Sequence, residues 1–311
     1  VTDLVIRPLA EGEPGELFRS LSVALPDDNL VGRSILPPPR NTFELLSAGG
    51  EYRPDWSWLA LRDGAVVARA AYWGGPSDPQ PKLLEYFDFL DHADGVALLR
   101  AAPWGAEYEL LLPPGWREDP AAFRAAERRM AAAEEAGYRR LTERFHYTWT
   151  PERGLPERPG RLTFRPEPDD DTVLDVLARV HSETGDHHAL RAIEEQGGPE
   201  AAARQELEFI NWCPSPREWL RLAYTPEGEL VGIQVPAHNP GGACVGFVGV
   251  VPEQRGHFYG YDLLAECTHM LVAEGAERIG ASTDVGNVGM AASFARAGYP
   301  ISQHRYCLVR D

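Results

Sequence analysis

The chain has 311 residues, 43% hydrophobic and 25% charged, with a formal net charge of −17 at pH 7. That length and apolar mass suit two ordinary globular domains, each with its own core. So negative a charge argues against a nucleic-acid partner, which needs clustered Lys and Arg; it fits either plain solubility or attraction of a cationic small molecule such as an amine.

No apolar run approaches the ~20 residues of a membrane span, and Val1-Thr2-Asp3-Leu4 lacks the basic-then-apolar layout of a secretory signal. Cys213, Cys244, Cys267 and Cys307 lie far apart with no C-x-x-C pair. This reads against a zinc site and against a disulfide framework, so the expectations are no metal, no membrane and a cytoplasmic setting.

Along the chain, Leu4-Val5-Ile6-Arg7-Pro8 reads as a short strand, followed by an acidic turn and an amphipathic helix over 15–25. Residues 58–62 and 65–69 flank Asp63-Gly64, a turn that supplies the positive φ of a tight hairpin. Trp56, Trp58, Tyr72, Trp73, Tyr86, Phe87 and Phe89 could wall a pocket, but strand alternation assigns most of them to a core. An Ala-rich helix over 123–138 ends in Ala-Gly-Tyr, and a last strand covers 144–149.

Thr150-Pro-Glu-Arg-Gly-Leu-Pro-Glu-Arg-Pro-Gly160 holds three prolines and two glycines in eleven residues, which no helix or central strand tolerates. The second half repeats the first: a strand Leu162-Thr163-Phe164-Arg165-Pro166, a helix over 171–182, a hairpin of 220–224 with 230–234, an Ala-rich helix over 290–299 ending in Ala-Gly-Tyr, and a strand over 303–309. The chain therefore reads as α+β with two tandem domains, 1–150 and 161–311, joined by a linker over 151–160. Each would be a mostly antiparallel twisted sheet flanked by helices.

The segment richest in chemistry is Val245-Gly-Phe-Val-Gly249-Val250-Val251-Pro-Glu-Gln-Arg255-Gly256-His257-Phe258-Tyr259-Gly260-Tyr261. An apolar strand stops at Pro252, and a Gly-containing loop opens directly into a helix with apolar positions Leu263, Leu264 and Cys267. Backbone N–H groups of such a loop, aimed with a helix N-terminus, suit a pyrophosphate. This stretch resembles the GCN5-related N-acyltransferase family, whose signature is Val-x-Pro-Glu, then Gln/Arg-Arg-Gly-x-Gly-x-Gly/Ala and a helix. A second family element, Asn-x-x-Ala-x-x-x-Tyr-x-x-x-Gly-Phe, is matched by Asn287-x-x-Met290-x-x-x-Phe294-x-x-x-Gly298-Tyr299.

The resemblance covers the second half by motif and the first by topology only. It implies acyl-CoA as co-substrate, with pantetheine along Gly249, Val250 and Val251 and pyrophosphate on the backbone from Arg255 through Gly256, His257, Phe258, Tyr259 and Gly260 to Tyr261. Asn287 and Phe294 would border the same site. Two positions depart from the pattern. Phe258 replaces the central Gly and must either crowd the phosphates or point its ring away while its N–H still donates. Phe294 replaces the Tyr that in the family commonly protonates the leaving thiolate, and phenylalanine has no proton to give.

Amide formation needs a neutral amine, hence a base. The family often places a Glu on the strand before its Val-x-Pro element, but 245–251 contains no ionisable side chain. The replacement is sought in His181-Ser-Glu-Thr-Gly-Asp186-His187-His188, with Asp186 and His181 as candidates; a solvated polar turn explains the same residues. His238 and Asn239, placed in a hairpin loop over 236–242, could border the cleft, and Thr283 and Asp284 could order it or cap the next helix. In the first half, Leu110-Leu-Leu-Pro-Pro-Gly-Trp-Arg-Glu118-Asp119-Pro120 stands at the place taken as equivalent to the loop; its prolines and acids exclude phosphate, so this half is expected to bind no CoA. The chain offers no well-placed Cys or Ser nucleophile, which favours direct transfer of an acyl group, acetyl in the simplest case, to a primary amine of a small molecule in a ternary complex. The alternative is a non-catalytic acyl-CoA-binding or regulatory module. A homodimer is compatible with either.

Overall fold

The computed structural model describes residues 3–13, 15–21, 31–33 and 43–310. Positions 22–25 of the helix expected over 15–25 lie outside these. The chain separates into two compact units, one of Val1–Glu143 with Gln303–Asp311 and one of Arg144–Ser302.

In the first unit the elements are β1 (Val5–Pro8), α1 (Gly15–Arg19), α2 (Phe43–Ala48), β2 (Ser57–Arg62), β3 (Ala65–Trp73), β4 (Leu83–Phe89), α3 (His92–Ala101), β5 (Glu107–Leu112), α4 (Pro120–Glu135) and the start of β6 (Arg139–Trp149). The second unit continues with the rest of β6, then β7 (Thr163–Pro166), α5 (Asp170–His181), α6 (His187–Gln196), α7 (Pro199–Trp212), β8 (Arg221–Tyr224), β9 (Leu230–Asn239), β10 (Gly242–Val250), α8 (Tyr259–Ala273), β11 (Ile279–Asp284), α9 (Val288–Arg296) and β12 (Ile301–Val309), most of which returns to the first unit.

The two sheets have one plan. In the first unit the order is β1-β2-β3-β4-β5-β12, and in the second β7-β8-β9-β10-β11-β6. Neighbours are antiparallel except β4 with β5 and β10 with β11, which are parallel. The internal repeat is thus real, but the last strands are exchanged. Residues 144–149 pair with β11 (Tyr147↔Ala281), and residues 304–308 pair with β5 (Tyr306↔Leu110). The compact units consequently do not follow the halves 1–150 and 161–311. A parallel strand pair leaves an outer edge of unpaired N–H and C=O groups, and either terminal strand can satisfy it.

Corresponding strands also relocate one comparison. The counterpart of the β10–α8 loop is the β4–α3 connection, Leu90-Asp91, and not the segment 110–120, which follows β5 and corresponds to the β11–α9 turn. Asp91 accepts from the Ala93 N–H at 2.9 Å, so a carboxylate already occupies that helix N-terminus.

Of the first-unit aromatics, Trp56, Tyr72, Phe87 and Phe89 are buried in a single core, while Trp58, Trp73 and Tyr86 pack half-buried against it or its neighbour. Under them Asp88, fully buried, takes Arg69 Nη2 at 2.7 Å, Arg129 Nη2 at 2.7 Å and Arg33 Nη2 at 3.0 Å. The four cysteines are buried free thiols. No helix of the described residues is long and apolar enough to cross a membrane.

Candidate functional site

The site of the second unit begins with a break in its sheet. β10 pairs with β9 along its length, but its parallel ladder with β11 holds only at Cys244↔Gly280. Past that bridge, residues 245–250 have no strand partner on the β11 side among the described residues. A bulge between Val245 and Phe247 turns the strand within this stretch. Residues two apart would ordinarily share a face. Here Val245 packs with the α8 and α9 cluster, and Phe247 with the α5 and α7 cluster.

Gly249 has a packing reason. A Cβ there would come 2.6 Å from Val180 Cγ1 and 2.7 Å from Phe247 Cε1, so its bare α-carbon lets α5 lie close on β10. Val251 is buried and its N–H goes to Val231 O at 3.0 Å, leaving Val250 at the open edge.

From Pro252 a short 3-10 turn leads into the loop. Gln254 N–H bonds Val251 O at 3.0 Å and Arg255 N–H bonds Pro252 O at 3.2 Å; at the far end Tyr261 N–H bonds Phe258 O at 3.1 Å. Between them the N–H groups of Gly256, His257, Phe258, Tyr259 and Gly260 have no hydrogen-bond partner among the described residues. The run of unbonded N–H groups is therefore 256–260, shorter at each end than the Arg255 to Tyr261 stretch read from the sequence. Gly256 takes φ +85°, open to glycine alone without strain. Phe258 sits at φ +60°, ψ +23° and is 77% exposed.

Neighbouring side chains hold this loop rather than reach past it. Arg255 donates to Val250 O (3.2 Å), Glu183 O (2.7 Å) and Val180 O (2.8 Å), tying the C-terminal end of α5 to the end of β10. Arg161 pairs with buried Asp262 and donates to His257 O at 3.1 Å, cancelling a carboxylate in the first turn of α8. Tyr261 donates its hydroxyl to Glu157 O at 3.0 Å. Asn287 is the N-cap of α9, its Oδ1 accepting from Met290 N at 3.2 Å. Phe294 is buried, stacked on Tyr147 with centroids 4.3 Å apart and edge-on to Tyr299 at 5.4 Å.

The two candidate bases fare differently. His181 ends α5, is 4% exposed, lies 5.6 Å ring-to-ring from Phe247 of β10, and has no partner on either ring nitrogen among the described residues. Burial lowers its pKa, with Asp186 opposing and Arg255 assisting, so the ring is neutral at pH 7 and able to accept a proton. Asp186 is the N-cap of α6, accepting from His188 N at 2.9 Å and Ala189 N at 3.0 Å. Burial raises its pKa, but Arg144, 3.8 Å away, and these N–H donors outweigh that and hold the carboxyl below its usual range. Such a carboxylate positions a helix and is a weak base.

Asp284 is buried and is bonded to the start of α6 rather than α9. It accepts from His187 N at 3.0 Å, bonds His187 Nδ1 at 2.7 Å and forms an ion pair with Arg144, whose Nε is 3.2 Å away, fixing α6 against the end of β11. Asp186, His188 and Asp284 bring ligand atoms within 4.8 Å of one another, a spacing a cation could use, but the Arg144 guanidinium already supplies the positive charge there. His238 and Asn239 end β9 rather than lie in a loop; His238 N–H goes to Ser215 Oγ at 2.7 Å and Asn239 Oδ1 accepts Gly241 N at 2.8 Å.

Two groups had no sequence signal. Glu206, half-buried on α7, has its carboxyl pushed up to about 8 by burial and by the charge of Asp186. Tyr147 is a further strand aromatic encoded in the first half; burial pushes its phenol up to about 12, so it stays protonated.

No family model and no curated protein matches the chain. Solved structures do. A GCN5-related N-acetyltransferase from Sphaerobacter thermophilus, 16% identical, aligns over 98% of this chain and 94% of its own with a TM-score of 0.56. A tandem GNAT (GCN5-related N-acetyltransferase) protein from the clavulanic acid biosynthesis pathway, 18% identical, aligns over 98% of each chain with a TM-score of 0.53. A GCN5-related glucosamine N-acetyltransferase region of a fungal multi-domain GH3 β-N-acetylglucosaminidase, 12% identical, covers 99% of this chain and 38% of its own, with a TM-score of 0.52. The chain has the tandem GNAT fold.

Proposed function

We propose that the protein is an N-acyltransferase that moves an acyl group, acetyl in the simplest case, from acyl-CoA to a primary amine of a small molecule by direct attack in a ternary complex. One observation carries the reading: the open edge of β10 over 245–250 leads through a single turn into five successive unbonded N–H groups at Gly256–Gly260. An extended arm bearing amides fits the first and a pyrophosphate the second, and CoA carries both in that order. Among the described residues the first unit has no such loop, its two-residue connection ending in a carboxylate, and in this reading it takes no CoA.

Within this reading His181 is the base. The attacking nitrogen must shed a proton as it bonds the thioester carbonyl, and a neutral, buried imidazole beside β10 can take it directly or through one water. Asp186 acts through charge, favouring the imidazolium that results. The acidic chain attracts the cationic form of the amine.

Calorimetric titration with acetyl-CoA tests the reading, followed by thiol release with a panel of amines. Micromolar binding at a single site per chain and amine-dependent release are expected. His181→Ala should then lower kcat by about 100-fold with acetyl-CoA affinity kept, and Asp186→Ala should lower turnover less. Absence of binding refutes the proposal, and binding without release to any amine leaves an acyl-CoA-binding module.

A further inference from the structure

Helices α5, α6 and α7 meet on one face of the second sheet where β10 and β11 part. His181 ends α5 beside Phe247 of β10. Asp284 ends β11 and holds the start of α6 through His187. Alternation puts Asp284 on the face of Gly280 and Ser282, opposite Ala281, which belongs to the α8/α9 core. Cys213 closes α7 and packs with Ala237 of β9 and with Cys244, the β10 residue that bridges Gly280. The ends of α5 and α7 and the start of α6 thus border the opening.

Glu206 stands among them. Ala202 of α7 packs against Ala189 and Ala192 of α6. Glu206, one turn further along the same side, therefore lies beside the start of α6. Its charged and titratable neighbours are Asp186 and His188 of α6, Arg144 of β6 and the Cys213 thiol at the end of its own helix. The Arg144 guanidinium is already divided between Asp186, 3.8 Å away, and Asp284, 3.2 Å away. Glu206 makes no hydrogen bond and no ion pair among the described residues. His181, 4% exposed, likewise has no partner on either ring nitrogen there. Three carboxyl groups face one guanidinium, and a half-buried carboxyl that nothing in the chain satisfies calls for a cation.

We infer that Glu206, together with Asp186, receives a second cationic nitrogen of the acceptor, so that the substrate is an amine bearing a further ammonium group. The inference rests on the acyl-transfer reading and deepens it. His181 takes the proton of the nitrogen that attacks the thioester, while Glu206 and Asp186 hold the nitrogen that keeps its charge. An ammonium brings three N–H donors and no acceptor, which suits two carboxyl groups side by side. Without a ligand, burial and the charge of Asp186 keep a proton on Glu206 at pH 7, and the arriving ammonium replaces it. One end of the acceptor is then fixed and the other is left to reach the thioester carbonyl.

Calorimetric titration of the CoA complex reads acceptor binding without turnover. At about pH 8.5 the Glu206 carboxyl is largely ionised and alkylamines remain cationic. Putrescine or cadaverine should bind about tenfold more tightly than butylamine or pentylamine of equal length, the gain of one charge-assisted contact. Glu206→Gln keeps the shape and removes the charge; with CoA affinity kept, it should bring the diamines down to the monoamine value. Glu208→Gln, which removes an exposed acid of the same helix, should preserve the preference. Equal affinities for diamine and monoamine in the wild type, or a preference that Glu206→Gln retains, overturn the inference and leave the acyl-transfer reading standing. Failure of the wild type to bind CoA removes that reading, and the inference with it.

Discussion

Replacing Phe258 by Gly should stabilise the protein slightly and leave the anion loop intact. Phe258 holds φ +60° and ψ +23°, a conformation costing a residue with a Cβ about 1–2 kcal/mol. Its ring is 77% exposed, so burial returns little of that. Glycine removes the strain but adds freedom to the unfolded chain, worth about 0.4–1 kcal/mol in the opposite direction. The balance is a gain of between zero and about 1.6 kcal/mol, each kcal/mol being worth ~2–4 °C in Tm for a domain of this size. The Phe258 carbonyl that accepts Tyr261 N–H at 3.1 Å belongs to the backbone and survives the change. Thermal unfolding followed by circular dichroism, paired with acetyl-CoA titration, reads both effects: higher Tm and affinity equal to or tighter than wild type. A variant destabilised by more than about 1 kcal/mol, or one that binds acetyl-CoA tenfold more weakly, would refute the reasoning, because the ring would then be making contacts that an outward side chain does not have.

Three further outcomes follow from the same geometry. Gly256→Pro forces φ from +85° to about −65° and deletes one of the five free N–H groups, so acetyl-CoA affinity should fall at least about tenfold by calorimetry while the fold persists. Burial raises the pKa of Glu206 from the ordinary 4.5 of a glutamate to about 8, so the folded state holds the extra proton between those values; its stabilisation is complete below the lower one and lost as pH rises through the upper. Melts from about pH 5 to about pH 8.5 should therefore show wild type losing stability that Glu206→Gln retains, by on the order of 1 kcal/mol after allowance for partial solvent access. Asp88→Ala leaves the guanidinium groups of Arg69 and Arg129 buried without their shared carboxylate, and urea unfolding should register a loss of about 3–5 kcal/mol.

Much of the site was legible because it is local. A Pro that ends a strand, a Gly at positive φ and a helix with apolar Leu263, Leu264 and Cys267 are consecutive in the chain, and short-range sterics dictate what they form. His181 was legible as a residue type only; that it is buried and lacks partners depends on α5 lying against β10, which the bare α-carbon of Gly249 permits. Asp186 carried the same chemical signal, yet it caps α6 and faces Arg144. Nothing in the order of residues ranks a carboxylate that caps a helix below one that is free to take a proton. Glu206 gave no signal, because an acid on the polar side of an amphipathic helix looks the same whether it meets water or another carboxylate.

By itself the sequence determined the β2–β3 and β8–β9 hairpins, the helices that end in Ala-Gly-Tyr and the repetition of the two halves, since each arises from periodicity, turn residues and caps within a few residues of one another. It determined the loop at 256–260 for the same reason. Tertiary structure alone decided which terminal strand completes which sheet. Residues 144–149 and 303–309 are both short amphipathic strands that follow an Ala-Gly-Tyr helix end, and each meets an outer edge of the same parallel kind, beside β5 or beside β11. Local pattern favours neither pairing. The choice rests on packing distributed over each core, and it places Tyr147 against Phe294 instead of in the half that encodes it.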